Sequence, residues 1–274
     1  MAELLLELYS EEIPPNLQIA ARNQLKLIME NAFKEKGIKC KDILVYSSPT
    51  RLTLFGKDLP YKIKIAAQEI RGPKIGSADK ILEGFAKAKN VTKDQLFEKE
   101  TDKGKFYFVK TSVKNLLVED LLKEILPKSL ASLSWNKSMK WSDFSLMWGR
   151  PLRSILAIFD SKKLSFEFNH LETTDSIIVE QDLNTKSSKI KNFKEYNNFL
   201  KNNRIVLDHK EREKVIIKKI NSISKSKDYK EVINSHLLEE VINIVEDPNI
   251  LLVNFNKEYL KIPQEIIIST LEKH

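Results

Sequence analysis

Between residues 135 and 153, aromatic and basic side chains alternate: Trp135, Trp141, Phe144 and Trp148 fall among Lys137, Lys140, Arg150 and Arg153. Aromatic faces stack on unpaired bases while Lys and Arg neutralise phosphates, so the mixture suits single-stranded or loop RNA. The same pattern also fits packing, with the tryptophans anchoring two subdomains and the basic groups lining the rim. A second basic field follows, since residues 181–231 carry a net charge of +7 against −4 for residues 232–274. Lys186, Lys189, Lys191, Lys194, Lys201, Arg204, Lys210, Arg212, Lys214, Lys218 and Lys219 belong to it. It reads either as a phosphate-contacting surface or as a solvated face of a chain rich in Lys, Ile and Asn.

No other chemistry finds a complete set of residues. There is no Gly-x-x-x-x-Gly-Lys-Ser/Thr run among the seven glycines, which excludes a P-loop. Gly72-Pro73-Lys74-Ile75-Gly76 has glycines and a lysine, but its proline removes an amide that a phosphate cradle would use. Lys137-Ser138-Met139-Lys140 superficially resembles the mobile lysine loop of class I synthetases, yet the His-containing partner motif is missing. Glu11 and Glu12 are adjacent, so on extended chain they point to opposite faces and complement a helix start instead. Asp208-His209 reads as a helix N-cap followed by an exposed imidazole. Cys40 is the only cysteine, which rules out an internal disulfide and a Cys₄ zinc site. His170, His209, His236 and His274 lack the spacing of a metal pair. No catalytic, cofactor-binding or metal-binding residue is assigned.

The elements that must position these residues read as α+β, with helices packed on mixed or antiparallel sheets. Residues 3–9 predict a strand. Leu17, Ala20, Ala21, Leu25, Ile28, Met29 and Ala32 predict a helix that stops at Gly37, and residues 43–47 and 50–57 predict strands. Arg71-Gly72-Pro73 predicts a turn, 79–89 a short amphipathic helix, and 105–113 a strand paired with 96–100 through the Asp102-Lys103-Gly104 turn. A helix over 116–133 should break at Pro127. Beyond a boundary at 147/148 come strands at Leu152–Phe159 and Leu164–Phe168, which Ile177–Val179 joins. Asp208 should cap a helix to about Ile223, and Ser235 one ending at Asp247-Pro248. A strand over 250–255 and a last helix from Pro263, still running at His274, complete two subdomains, 1–147 and 148–274. The second then looks cut in its C-terminal helix.

Apolar residues make up 42% of the 274, too many for a disordered chain. No apolar run approaches the roughly 18–20 residues of a membrane span, and Glu3 and Glu7 interrupt the only N-terminal apolar stretch. These features predict a soluble, non-secreted, cytoplasmic protein.

Six segments, in order, resemble one family. Glu7-Leu8-Tyr9-Ser10-Glu11-Glu12-Ile13-Pro14-Pro15 resembles the N-terminal Glu-Ile-Gly-Thr-Glu-Glu-(Ile/Leu)-Pro-Pro signature of the bacterial glycyl-tRNA synthetase beta subunit. Pro49-Thr50-Arg51-Leu52 is similar to its Pro-Arg-Arg-Leu turn. Arg71-Gly72-Pro73 and Glu83-Gly84-Phe85-Ala86-Lys87 resemble its Gly-Pro and Gly-Phe-Ala-Arg segments. Lys137-Ser138-Met139-Lys140-Trp141 with Gly149-Arg150-Pro151-Leu152-Arg153 resembles its Lys-x-Met-Arg-Trp…Phe-x-Arg-Pro block. Leu237–Val241 through Glu246-Asp247-Pro248 resembles its Leu-Leu-Glu-Glu-Val…Glu-x-Pro block, and Phe255–His274 its Phe…Phe-Leu-x-(Leu/Ile)-Pro-x-Glu segment. Departures stand at Tyr9, where Gly is usual, at Ser10 for Thr and at Thr50 for Arg. Ile178-Val179-Glu180-Gln181-Asp182 replaces a Gly-His-Arg-Phe motif.

The resemblance implies the N-terminal two-fifths of a subunit in an α₂β₂ enzyme that attaches glycine to its tRNA. ATP with Mg and glycine would bind the separate alpha subunit. The His-Asp-type helical domain and anticodon-binding domain would follow the present chain. The beta subunit would contribute tRNA recognition and assembly with the alpha subunit, through Arg51, Lys137, Lys140, Arg150 and Arg153. The competing reading is a non-catalytic RNA-binding scaffold independent of the synthetase; an independent enzyme lacks a nucleophile or metal site.

Overall fold

In the computed structural model, residues 1–65, 69–102, 104–110, 114–181 and 184–272 are described. The chain forms two compact units, one of Met1–Pro60 with Leu121–His274 and one of Tyr61–Asp120. The fold is α+β, as the periodicities predict, and the opening β-α-β-β order holds. The division expected at 147/148 runs differently from these units, because the strand that follows it pairs with the very first strand of the chain.

The larger unit begins with β1 (Ala2–Ser10), α1 (Pro15–Lys36), β2 (Asp42–Ser48) and β3 (Arg51–Leu59). The smaller unit holds β4 (Lys62–Ile65), β5 (Glu69–Lys74), α2 (Asp79–Lys89), β6 (Leu96–Thr101), β7 (Gly104–Lys110) and β8 (Lys114–Leu117). Then α3 (Val118–Ala131) leads back to the larger unit with β9 (Leu152–Phe159), β10 (Lys162–Lys163), β11 (Glu167–Phe168), β12 (Leu171–Thr174), β13 (Ser176–Gln181) and β14 (Asn184–Lys189). Helices α4 (Phe193–Asn202), α5 (His209–Lys227), α6 (Ser235–Ile244) and α7 (Gln264–Leu271) follow.

The main sheet has the order β11-β12-β9-β1-β3-β2, with β10 on β9. Strand β1 sits at its centre, antiparallel to β3 and β9, and is buried on both faces. Pairing puts Leu8, Leu52 and Ser47 side by side on one face, where α1 packs through Leu17, Ala21, Leu25, Met29 and Phe33. This four-residue spacing is one stripe of a helix. Pro15 fits the first turn, where its missing N–H is no loss, and Gly37 ends the helix at φ 70°, a left-handed conformation that glycine adopts without strain. The other face carries Leu5, Glu7 and Tyr9. Against it lie the β13–β14 ribbon and α4, whose Ile177, Val179, Tyr196 and Leu200 join Leu5, Leu156 and Ile158 in one core.

Several expectations are corrected. Ile177–Val179 belongs to β13, which pairs with β14 in a separate ribbon rather than with the main sheet. Leu164–Phe168 is not one strand but a buried Leu164 between two-residue strands. Arg71-Gly72-Pro73 lies within β5, at an irregularity of its pairing with β7, instead of forming a turn. A Cβ at Gly72 would come within 2.7 Å of the Phe85 ring. Helix α3 runs through Pro127 without a break; burial of Leu122, Ile125, Leu126 and Leu130 offsets the lost hydrogen bond. Helix α6 is capped by Asn234, not Ser235, since the Asn234 side chain accepts from the amides of His236 and Leu237. Residues 250–255 form no strand: Leu251, Leu252, Val253 and Phe255 are exposed and no sheet edge receives them. Strand β6 does pair with β7, although Lys103 of the expected turn and residues 111–113 lie outside the described residues. Helix α7 ends at Leu271, and His274, where the last helix is expected still to be running, lies outside the described residues too.

Candidate nucleic-acid interface

The aromatic-basic stretch becomes a loop closed on itself. Backbone bonds between Met139 and Trp148, at 2.8 and 3.2 Å, tie its two arms together. At its start, the Gln24 side chain accepts from the Ser134 amide and hydroxyl at 3.2 and 2.8 Å. The three tryptophans separate by role. Trp148 is buried, edge-on to Phe168 at 5.8 Å and 5.1 Å from Trp135. Gly149 is what lets Trp135 approach, because a Cβ there would meet its ring at 2.4 Å. Trp141, by contrast, is half-buried at the tip, beside Phe144 and His170. Anchoring and surface display therefore coexist in one segment.

The basic residues divide in the same way. Lys137 and Lys140 are exposed and have no ion-pair partner among the described residues. Arg150 is half-buried and donates to the Gly149 carbonyl at 3.0 Å. Arg153 is engaged by Glu180 through two hydrogen bonds, at 2.5 and 2.8 Å, and stands 3.6 Å from Glu11. That fork–fork geometry raises the Arg153 pKa and lowers that of Glu180.

Arg51 faces the interior. It is 1% exposed, as is Glu7, and its Nε lies 3.3 Å from a Glu7 carboxylate oxygen without hydrogen-bond alignment. Its Nη2 donates to the Ile178 carbonyl, and its Nη1 to Thr50 at 3.1 Å. Glu7 also accepts from the Tyr196 hydroxyl at 2.5 Å, and that hydroxyl lies 2.8 Å from Thr53 Oγ1. Burial pushes the Glu7 carboxyl up, against the pull of Arg51 and Tyr196. Every partner of Arg51 is internal, so it is withdrawn from surface contact.

Two of the sequence departures meet here. The Tyr9 hydroxyl donates to Glu180 at 3.2 Å, and the Tyr9 ring lies within cation–π range of both Arg51 (4.6 Å) and Arg153 (5.4 Å). Burial pushes the Tyr9 hydroxyl up to about 12. Asp182, the last residue of the replaced motif, lies outside the described residues.

Sequence reasoning missed a third polar cluster. Asn243 of α6 takes hydrogen bonds from Gln18 (2.6 Å, at its carbonyl) and Arg22 (2.8 Å, at its side chain) of α1. Glu246 accepts from Ser48 at 2.7 Å and Thr50 at 3.1 Å. Arg212, wholly buried, donates to the carbonyls of Ile242, Val206, Leu207 and Ser47, and burial lowers its pKa to about 10. His209 is not the exposed imidazole expected: its side chain is 23% exposed, and burial, then Arg22, lowers its pKa to about 4. A run of small polar residues opposite a buried Arg was the only available signal, and it is not specific.

The buried clusters brace the fold; among the described residues no group of three His, Cys, Asp or Glu is placed to hold a metal ion. Residues 4–274 match the family described as glycyl-tRNA synthetase beta subunit. The chain belongs to that family. It is similar to the glycine–tRNA ligase beta subunits of Rickettsia canadensis (strain McKiel), 33% identical over 274 residues, and Rickettsia akari (strain Hartford), 34% identical over 274 residues. Each alignment covers 100% of this chain and 41% of the relative. With the beta subunit of Rickettsia bellii (strain OSU 85-389) it shares 34% identity over 275 residues, again 100% of this chain and 42% of the relative. The chain thus spans about two-fifths of the length of these beta subunits. Segments that carry the family resemblance converge in space: Glu7 and Tyr9, Thr50 and Arg51, Arg153, and Glu246 all belong to the linked polar clusters described above. No helix among the described residues is long and apolar enough to cross a membrane.

Proposed function

We propose that this chain serves in the attachment of glycine to its tRNA as the N-terminal part of a glycyl-tRNA synthetase beta subunit. In this reading a separate alpha subunit binds ATP with Mg and glycine in an α₂β₂ assembly in the cytoplasm. The present chain supplies tRNA contact and a scaffold. The observation that carries it is the family match across residues 4–274. Support for tRNA contact comes from the two unpaired lysines on a braced, aromatic loop.

Lys137, Lys140 and Arg150 are the phosphate-contacting residues in this reading. Arg51 is committed to the interior and Arg153 to Glu180. The test is binding of the tRNA for glycine by the chain across a salt series. Replacing Lys137, Lys140 and Arg150 with Ala should lower affinity and flatten the salt dependence by about 0.7–0.9 per lost phosphate contact. An unchanged affinity and slope would overturn the assignment.

A further inference from the structure

We infer that Phe144, His170 and Trp141 form a stacking platform for an unpaired base of the bound RNA; this deepens the tRNA-contact reading above and rests on it. The Phe144 and His170 rings are stacked, with centroids 3.6 Å apart and planes within 5°. Trp141 meets the imidazole edge-on at 5.8 Å and 75°. The three come from two places far apart in sequence, the loop tip and the turn joining β11 to β12.

Phe144 remains 37% exposed although the imidazole covers one face of its ring, so part of the side chain stays accessible to a ligand. An aromatic ring held this way in water has the flat surface on which a base stacks, and every base has a matching π-face. The platform is preorganised: the Met139–Trp148 bridge closes the loop, and the Asn169 side chain donates to Ser145 Oγ at 3.1 Å, locking the tip to the turn. Lys137 and Lys140 lie on the same loop, within a few residues of the rings, while Asp143 is the acidic group between. Stacked rings flanked by unpaired lysines favour a nucleotide over a protein partner, since a base and its phosphate use both at once.

The test compares a single-stranded RNA of about ten nucleotides, a blunt duplex of the same sequence and the tRNA for glycine, with Trp141 fluorescence as a second readout. Phe144→Ala and Phe144→Leu should each weaken single-strand binding by about 5- to 100-fold, and leave the duplex within about twofold. Phe144→Tyr should restore binding. Single-stranded RNA should quench Trp141, and the duplex should not. Phe144→Leu keeps apolar bulk but no π-face, so loss with Leu and rescue by Tyr mark stacking rather than packing. If Phe144→Ala and Phe144→Leu bind all three RNAs as the parent does while the lysine variants weaken, the platform is overturned and the tRNA-contact reading stands. If the parent chain binds none of the RNAs, both fall. Loss of association with an alpha subunit at unchanged RNA affinity would also overturn the platform, in favour of a protein interface.

Discussion

Arg51 and Lys140 belong to segments that both carry the family resemblance, and their surroundings are opposite. Arg51 lies in a dry cluster with Glu7, Tyr196 and the Ile178 carbonyl; Lys140 stands in water on a loop with no counter-ion among the described residues. The first arrangement joins β1, β3, α4 and β13 into one body, because each buried charge must find its partner there. The second leaves charge free for something outside the chain. A basic residue in a familiar motif is therefore not a contact by virtue of its charge; burial decides which role it takes.

Breaking the buried side should give the largest effect. Glu7→Ala leaves Arg51 buried without its counter-charge and should cost about 3–5 kcal/mol in denaturant unfolding. Glu7→Leu combined with Arg51→Met should cost much less, since neither charge then remains buried. Equal losses in the two variants would show that the ion pair is not what holds the region.

Acid should sharpen the same contrast through His209. Its pKa is lowered to about 4 in the folded chain against 6.5 for an ordinary His, so the unfolded state binds the proton first as pH falls. Stability is then full above about pH 6.5 and declines by about 3 kcal/mol on the way down to about pH 4. His209→Gln should flatten this part of the unfolding curve, and an unchanged slope would refute the assignment.

A smaller loss, about 1–3 kcal/mol, is expected for Gly149→Ala, whose added methyl meets the Trp135 ring. It should also weaken RNA binding by displacing the loop. The smallest effect on stability falls on the exposed side. Lys137→Ala with Lys140→Ala should shift the unfolding free energy by less than about 0.5 kcal/mol while lowering RNA affinity. A large stability loss there would place these lysines with Arg51.

Local regularity made part of this fold legible. The four-residue stripe of α1, the Gly37 stop and the 96–110 hairpin follow from short-range pattern, and the structure has all three. What escaped depends on partners remote in sequence. Residues 250–255 have the composition of a strand but no edge to pair with. Ile177–Val179 is apolar enough for the main sheet but pairs with β14. For the candidate interface, the stretch 135–153 was visible from composition alone. That Arg51 turns inward, and that His170 completes a stack with Phe144, comes from contacts no local pattern encodes.

The centre of the main sheet is β1, a strand translated well before one of its two partners. Its neighbour β9 lies about 150 residues downstream, and the hydrogen bond from Gln18 to Asn243 closes over a separation of 225 residues. At about 5–20 residues per second, β1 waits roughly 7–30 s for β9. Throughout that interval Leu4, Leu5, Leu6 and Leu8 sit on an apolar strand with one edge unfilled, the form of a nascent chain that needs shielding from its neighbours during translation.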